Sequence, residues 1–177
     1  FYSHTYDEQV SMTGVWGIRF LGCTFSDQRS GLTSKAELGH GINTLDASYE
    51  IGGLCTANPP MDPCPAISLI PSSFSGFDKA ISAGGTNGNR NIKVTGAHFE
   101  DNVTGIWVSS VDHLIALSNA FVIGGLSDID QESYGIYLVQ STAYRIEENT
   151  FSGEIHPSKE TYGVFVYESG SDNNQVY

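Results

Sequence analysis

Positive charge is what this chain has least of. Eight Lys and Arg stand against twenty Asp and Glu, for a net charge of −12. Such a surface repels phosphate, which argues against nucleic-acid binding. It also works against long-range attraction of acidic polysaccharide, unless a bound cation changes the field locally. No apolar run approaches the roughly 18 residues of a membrane helix, so no membrane insertion is expected. Sustained apolar period near 3.6 is missing too, which removes helix bundles from consideration. The first residue is Phe, not Met, and no signal peptide is present, so the chain reads as a cut product.

Cysteine is scarce, with three in 177 residues. Cys55 and Cys64 flank Thr-Ala-Asn-Pro-Pro-Met-Asp-Pro, a Pro-rich loop with little core of its own. A disulfide closing that loop is the natural expectation, and it points to an oxidising compartment, extracellular or cell-surface. Free thiols or a metal pair are the alternatives, but no second pair of cysteines or spaced histidines completes a zinc site. Cys23 is expected to be a small buried residue and not a nucleophile.

What the chain does have is a repeated line. It runs Gly17-Ile-Arg-Phe-Leu-Gly-Cys-Thr-Phe25, Ala66-Ile-Ser-Leu-Ile-Pro-Ser-Ser-Phe74, Asn91-Ile-Lys-Val-Thr-Gly-Ala-His-Phe99, His113-Leu-Ile-Ala-Leu-Ser-Asn-Ala-Phe121 and Ala143-Tyr-Arg-Ile-Glu-Glu-Asn-Thr-Phe151. A second line follows most copies: Gly105-Ile-Trp-Val, Gly135-Ile-Tyr-Leu, Gly163-Val-Phe-Val. From Phe25 through Phe74, Phe99 and Phe121 to Phe151 the intervals are 49, 25, 22 and 30 residues. Period-two alternation marks strands with one face inward. Ile18, Ile67, Ile92, Leu114 and Tyr144, and then Phe20, Leu69, Val94, Ala116 and Ile146, are expected inside. Asn119 and Asn149 sit two before their Phe, where an amide can bond along the stack. In the second line Ile42 and Thr44, Ile81 and Ala83, Ile106 and Val108, Ile136 and Leu138, and Val164 and Val166 are expected inside.

Irregular repetition of strand-like lines is the mark of a solenoid. The expected fold is all-β, a right-handed parallel β-helix of about five coils. One domain spans 1–177, with looser early coils over 14–48, a disulfide loop excursion over 49–66 and regular coils over 67–177. Insertions at 122–133 and 152–161 should leave one corner and form a ridge. The last words, Gln175-Val-Tyr177, read like another first line cut short, so a longer solenoid is expected.

These lines resemble the right-handed parallel β-helix repeats of the pectate-lyase-like superfamily. Tyr134-Gly-Ile-Tyr-Leu, Tyr144-Arg-Ile-Glu-Glu-Asn-Thr-Phe151 and Ser169-Gly-Ser-Asp-Asn-Asn-Gln-Val-Tyr177 are similar to large secreted or cell-surface repeat proteins of Bacteroidetes that use type IX secretion. The resemblance implies a location at the cell surface or outside the cell more than it implies a reaction. In enzymes of the superfamily, carboxylates from neighbouring coils cluster on one outer face beside a basic residue, and some members bind calcium there.

The candidate sites follow from what points outward. Trp107, Tyr137 and Phe165 follow the inward Ile or Val in three successive coils, and alternation stacks them outside. Such a row suits the apolar faces of sugar rings or a protein partner, unless loops fold over it. The preceding glycines 105, 135 and 163 are expected to leave that side bare. Asp128, Asp130 and Glu132 alternate on a loop and offer oxygen ligands to calcium, though the pattern is not an EF-hand; no other cofactor is expected. Arg19, Ser68, Lys93, Ile115 and Arg145 form a broken basic stripe that neighbouring acids such as Glu147 can neutralise. Glu100-Asp101 and Glu147-Glu148 are expected to diverge into solvent, and the five histidines show no metal spacing. Asn102-Val-Thr104 is a glycosylation sequon by pattern.

Three functions are weighed. One is a non-enzymatic structural or adhesive segment of an exported protein, contacting polysaccharide or a cell-surface protein through the aromatic row. Another is a polysaccharide lyase or glycoside hydrolase with its site partly outside this chain. The last is a self-assembling filament unit.

Overall fold

The computed structural model describes residues 2–3, 8–27, 37–59, 64–88, 90–124, 132–153 and 160–177. Almost every described segment is a strand in one of three parallel sheets of six strands each. The first sheet is Tyr2–Ser3, Thr24–Asp27, Ser73–Ser75, His98–Asn102, Ala120–Ile123 and Thr150–Gly153. The second is Glu8–Thr13, His40–Leu45, Lys79–Gly88, Thr104–Val111, Ser133–Val139 and Thr161–Tyr167. The third is Trp16–Leu21, Ser48–Gly52, Ile92–Thr95, Leu114–Leu117, Arg145–Glu147 and Gln175–Val176. The chain visits third, first and second sheet in turn and then climbs one coil. This is the parallel β-helix that the repeat predicts. Five of the six strands in the first sheet carry the expected phenylalanine or its equivalent.

The interior is built from columns. Phe25, Phe74, Phe99, Phe121 and Phe151 stack with ring centroids 4.6, 5.1, 4.7 and 5.0 Å apart and planes within 13°. Four of these rings are almost fully buried, and Phe151 on the last coil is 37 % exposed. Ile81, Ile106 and Ile136 pair in register in the second sheet, each at 0 % exposure. Burying such a side chain contributes about 1.5–3 kcal/mol. No single coil encloses its own apolar face, so stacking and folding are one event here.

Polar ladders hold the corners. Between the third and first sheets, Asn119 Nδ2 donates to Val94 O at 3.0 Å and to Asn149 Oδ1 at 2.9 Å. Its own Oδ1 accepts from Ala97 N at 2.9 Å, and Asn149 Nδ2 donates to Ala116 O at 2.9 Å. Ser72 takes that place lower down, donating to Gly52 O at 2.7 Å and accepting from Cys23 N at 3.2 Å. Cys23 is a half-buried free thiol packed on the core. A second ladder, unforeseen in the sequence, links Val111, Ser141 and Ser169 at the corner between the second and third sheets. These buried backbone groups would otherwise lose their partners at the turn.

One repeat copy is not what it seems. Ile67 is 97 % exposed and Leu69 lies in a short antiparallel ribbon, Leu54–Cys55 with Leu69–Ile70. Tyr49 and Ile51 fill the inward places instead, in register with Ile92 and Val94. The stretch from Phe25 to Phe74 is therefore one coil, with an excursion between Gly52 and Ser73 at the corner of third and first sheets. The Cys55–Cys64 disulfide staples that excursion, while residues 49–52, expected inside the excursion, belong to the core strand Ser48–Gly52. The insertions at 122–133 and 152–161 do leave one corner, between the first and second sheets. Most of their residues lie outside the described ones, as does the expected ridge.

No helix among the described residues is long and apolar enough to cross a membrane.

Candidate functional site

The outer face of the second sheet carries the densest chemistry. Register sets its central column as Ser11, Asn43, Ser82, Trp107, Tyr137 and Phe165. A flanking column is Glu8, His40, Lys79, Thr104, Tyr134 and Tyr162. Both columns change from polar to aromatic as the coils advance.

Trp107, Tyr137 and Phe165 do stand one above another, each half-buried. They are not three free faces. Tyr137 and Phe165 lie 5.0 Å apart at 27°, and Tyr134 and Tyr162 lie 5.3 Å apart at 10°. Tyr134 meets Tyr137 edge-on at 4.8 Å, and Tyr162 meets Phe165 edge-on at 5.3 Å. Four rings thus pack as two stacks that meet edge to face, at 88° and 67°. Each such pair contributes roughly 0.5–1.5 kcal/mol beyond its burial. Trp107 is held by a cation instead: Lys79 Nζ sits 4.6 Å from its ring centroid.

The glycines before the inward residues serve the interior, contrary to expectation. A Cβ on Gly105 would lie 2.8 Å from the Phe121 ring, and one on Gly135 would lie 2.7 Å from Phe151. They make room for the phenylalanine column and do not bare the outer side. With Gly135 and Ile136 both turned inward, strict alternation breaks. Tyr134 then shares the outer side with Tyr137, where alternation alone would have put it inside.

Carboxylates border the rings. The Tyr134 hydroxyl donates to Glu132 and the Tyr162 hydroxyl to Glu160. Partial burial and the bond to Glu132 push the Tyr134 phenol well above its ordinary value. For Tyr162 the bond to Glu160 comes first and partial burial second, in the same direction. Both phenols stay protonated donors through the physiological range. At the polar end, Asn43 Nδ2 donates to Glu8 Oε1 at 2.6 Å. His40 Nε2 lies 3.6 Å and Lys79 Nζ 3.9 Å from Asp78 Oδ2.

The other sequence candidates fare differently. Asp128 and Asp130 lie outside the described residues, so only Glu132 of the calcium trio is placed, on the aromatic face. Among the described residues no three His, Cys, Asp or Glu side chains converge as a metal requires. The basic stripe is neutralised: Glu50, not Ser68, stands between Arg19 and Lys93, at 2.9 and 3.2 Å. Partial burial works the other way, yet Lys93 and Arg19 hold the Glu50 carboxyl below its ordinary value. Arg145 pairs with Glu147, while Glu148 turns away at φ 53° and accepts from Ser118 Oγ at 2.9 Å. Asp101 is raised by partial burial and by the Glu100 charge. The sequon asparagine is structural: Asn102 is 5 % exposed, accepts from Phe77 N and donates to Phe74 O, both at 3.0 Å.

Residues missed in the sequence are Tyr134, Tyr162 and Glu160. Their signal was a longer repeated word, Glu132-Ser-Tyr-Gly-Ile-Tyr137 and Glu160-Thr-Tyr-Gly-Val-Phe165. No family model, no curated protein and no solved structure matches the chain, so its function has to be argued from the chemistry of this face.

Proposed function

We propose that the chain is a non-enzymatic, adhesive segment of an exported surface or secreted protein, and that it holds carbohydrate on the outer face of its second sheet. The observation that carries this reading is the half-buried aromatic group on a regular, rigid sheet face. Tyr137, Phe165 and Trp107 offer apolar ring surface, and hydrogen-bonding groups border it, which is the pairing a sugar ring needs. The Cys55–Cys64 disulfide supports an oxidising compartment. The likeness of the repeat wording to large secreted repeat proteins of Bacteroidetes supports the same location.

A lyase or hydrolase reading has one observation in its favour. His40, Lys79 and Asp78 gather at the polar end of the same face, where a proton carrier would sit beside a bound chain. One experiment separates the two. The protein is passed over immobilised polysaccharides beside the variant Trp107→Ala/Tyr137→Ala/Phe165→Ala, with circular dichroism confirming the β fold of both. Adhesion predicts retention of the first, loss in the variant and no new chain ends. Equal retention of both proteins would overturn it, and new reducing or unsaturated ends would favour the enzyme.

A further inference from the structure

We infer that the two Glu-x-Tyr-Gly-x-aromatic units are adjacent subsites for consecutive residues of an uncharged polysaccharide lying along the solenoid axis, and that this face rejects acidic polysaccharide. The inference rests on the carbohydrate reading above and specifies its ligand.

The units are one structure used twice. Tyr134 pairs with Tyr162 and Tyr137 with Phe165 in register, and Ser133 N donates to Glu160 O at 3.1 Å. Their equivalent groups are thus one coil apart along the axis, and a ligand that uses both must run that way. Carbon atoms in contact sit at about 3.5–4.0 Å. The stacked rings have centroids 5.0 and 5.3 Å apart with planes 27° and 10° from parallel, wider than full face-to-face contact. Each pair therefore covers its partner's face incompletely, in a step that repeats with the coil. A chain of flat, apolar-faced sugar rings has the same serial character.

The rim decides the charge of the ligand. Glu132 and Glu160 are exposed, and the tyrosine bond uses one acceptor site of each. An ionised carboxylate has about four such sites. Sugar hydroxyls can donate to the others, and hydrogen bonds to a charged acceptor are the stronger kind. A uronate or sulfate would meet like charge at both subsites, with a net charge of −12 behind them. Among the described residues of this face, Lys79 is engaged by Trp107 and Asp78.

Affinity electrophoresis of the whole chain in gels containing a soluble neutral β-glucan or a polygalacturonate of matched length tests this. The glucan is expected to retard the protein equally at low and high salt, and the polygalacturonate is not. Glu132→Gln/Glu160→Gln, which alters only exposed groups, should weaken glucan binding about tenfold or more and let polygalacturonate bind. Tyr162→Phe keeps the ring but frees Glu160, and should shift glucan affinity by a smaller factor. Polygalacturonate bound as tightly as glucan would overturn the inference and leave the carbohydrate reading standing. So would glucan binding indifferent to the double substitution. Binding to neither glycan would sink both.

Discussion

Two columns run along this molecule, one borne by the first sheet and turned inward, the other on the outer face of the second sheet. The inner one repeats phenylalanine in five successive coils. The outer one reads Ser11, Asn43, Ser82 and then Trp107, Tyr137, Phe165. Both ride on equally regular parallel pairing, so backbone geometry does not explain the difference. The environment does. An inner ring must fill the gap left by the ring below and above, and a neighbour of the same size and shape does that with least strain. An outer side chain answers to solvent and to whatever docks there, and can change from coil to coil. Chemistry collects where the columns are free to differ.

The sharpest way to test this contrast is to open the inner column. Phe99→Ala leaves a void between Phe74 and Phe121 and should cost about 3–5 kcal/mol, seen as a large drop in the urea midpoint. A loss under about 1 kcal/mol would mean that the column is not what holds the coils together.

Next comes the boundary between the columns. Gly105→Ala adds a methyl 2.8 Å from the Phe121 ring and 2.7 Å from Gly135 O. Overpacking of this kind costs roughly 1–3 kcal/mol. It should also move the Trp107 side chain on the opposite side, read as a shift in tryptophan fluorescence. An unchanged midpoint and spectrum would uncouple the two faces.

The smallest effects belong to outer charges, and they carry opposite signs. Glu50 is held below its ordinary value, so its contribution is present at neutral pH and fades as pH falls through its folded value. Asp101 is raised, so its ionised form costs the fold stability at neutral pH, and acid relieves that cost. Glu50→Gln should therefore lower the thermal midpoint slightly at neutral pH. Asp101→Asn should raise it slightly, since Asn also tolerates the φ of 53° found there. Both differences should shrink in acid; shifts of the same sign would refute the assignment.

The inner column was legible because its rule is strict. Phe at one position, Ile or Val at others and Asn119 above Asn149 repeat often enough to stand out from chance. The false copy at Ile67 and Leu69 shows the limit. A long excursion split the true line between Ile51 and Phe74, and an unrelated apolar stretch happened to carry the right spacing. Glu50 went unseen in the basic stripe for the same reason. Tyr134 and Tyr162 were missed because the glycine between them and the inward Ile or Val upsets alternation. The serine ladder through Ser141 and Ser169 was hidden by the commonness of serine. Outer residues obey no repeat rule, so only the doubled word around Glu132 and Glu160 gave them away.

The matched phenylalanines carry one more consequence, for ancestry. When the top of one coil fits the bottom of the next as well as it fits a copy of itself, a whole coil can be gained or lost without redesigning the interior. Duplication of a coil with the Glu-x-Tyr-Gly word would then lengthen the aromatic face in whole-number steps, each with its own tyrosine, carboxylate and partner ring. If the face holds carbohydrate as proposed, descendants of such a gene would differ in how many sugars they count along a glycan, and affinity would climb with that count by multivalency.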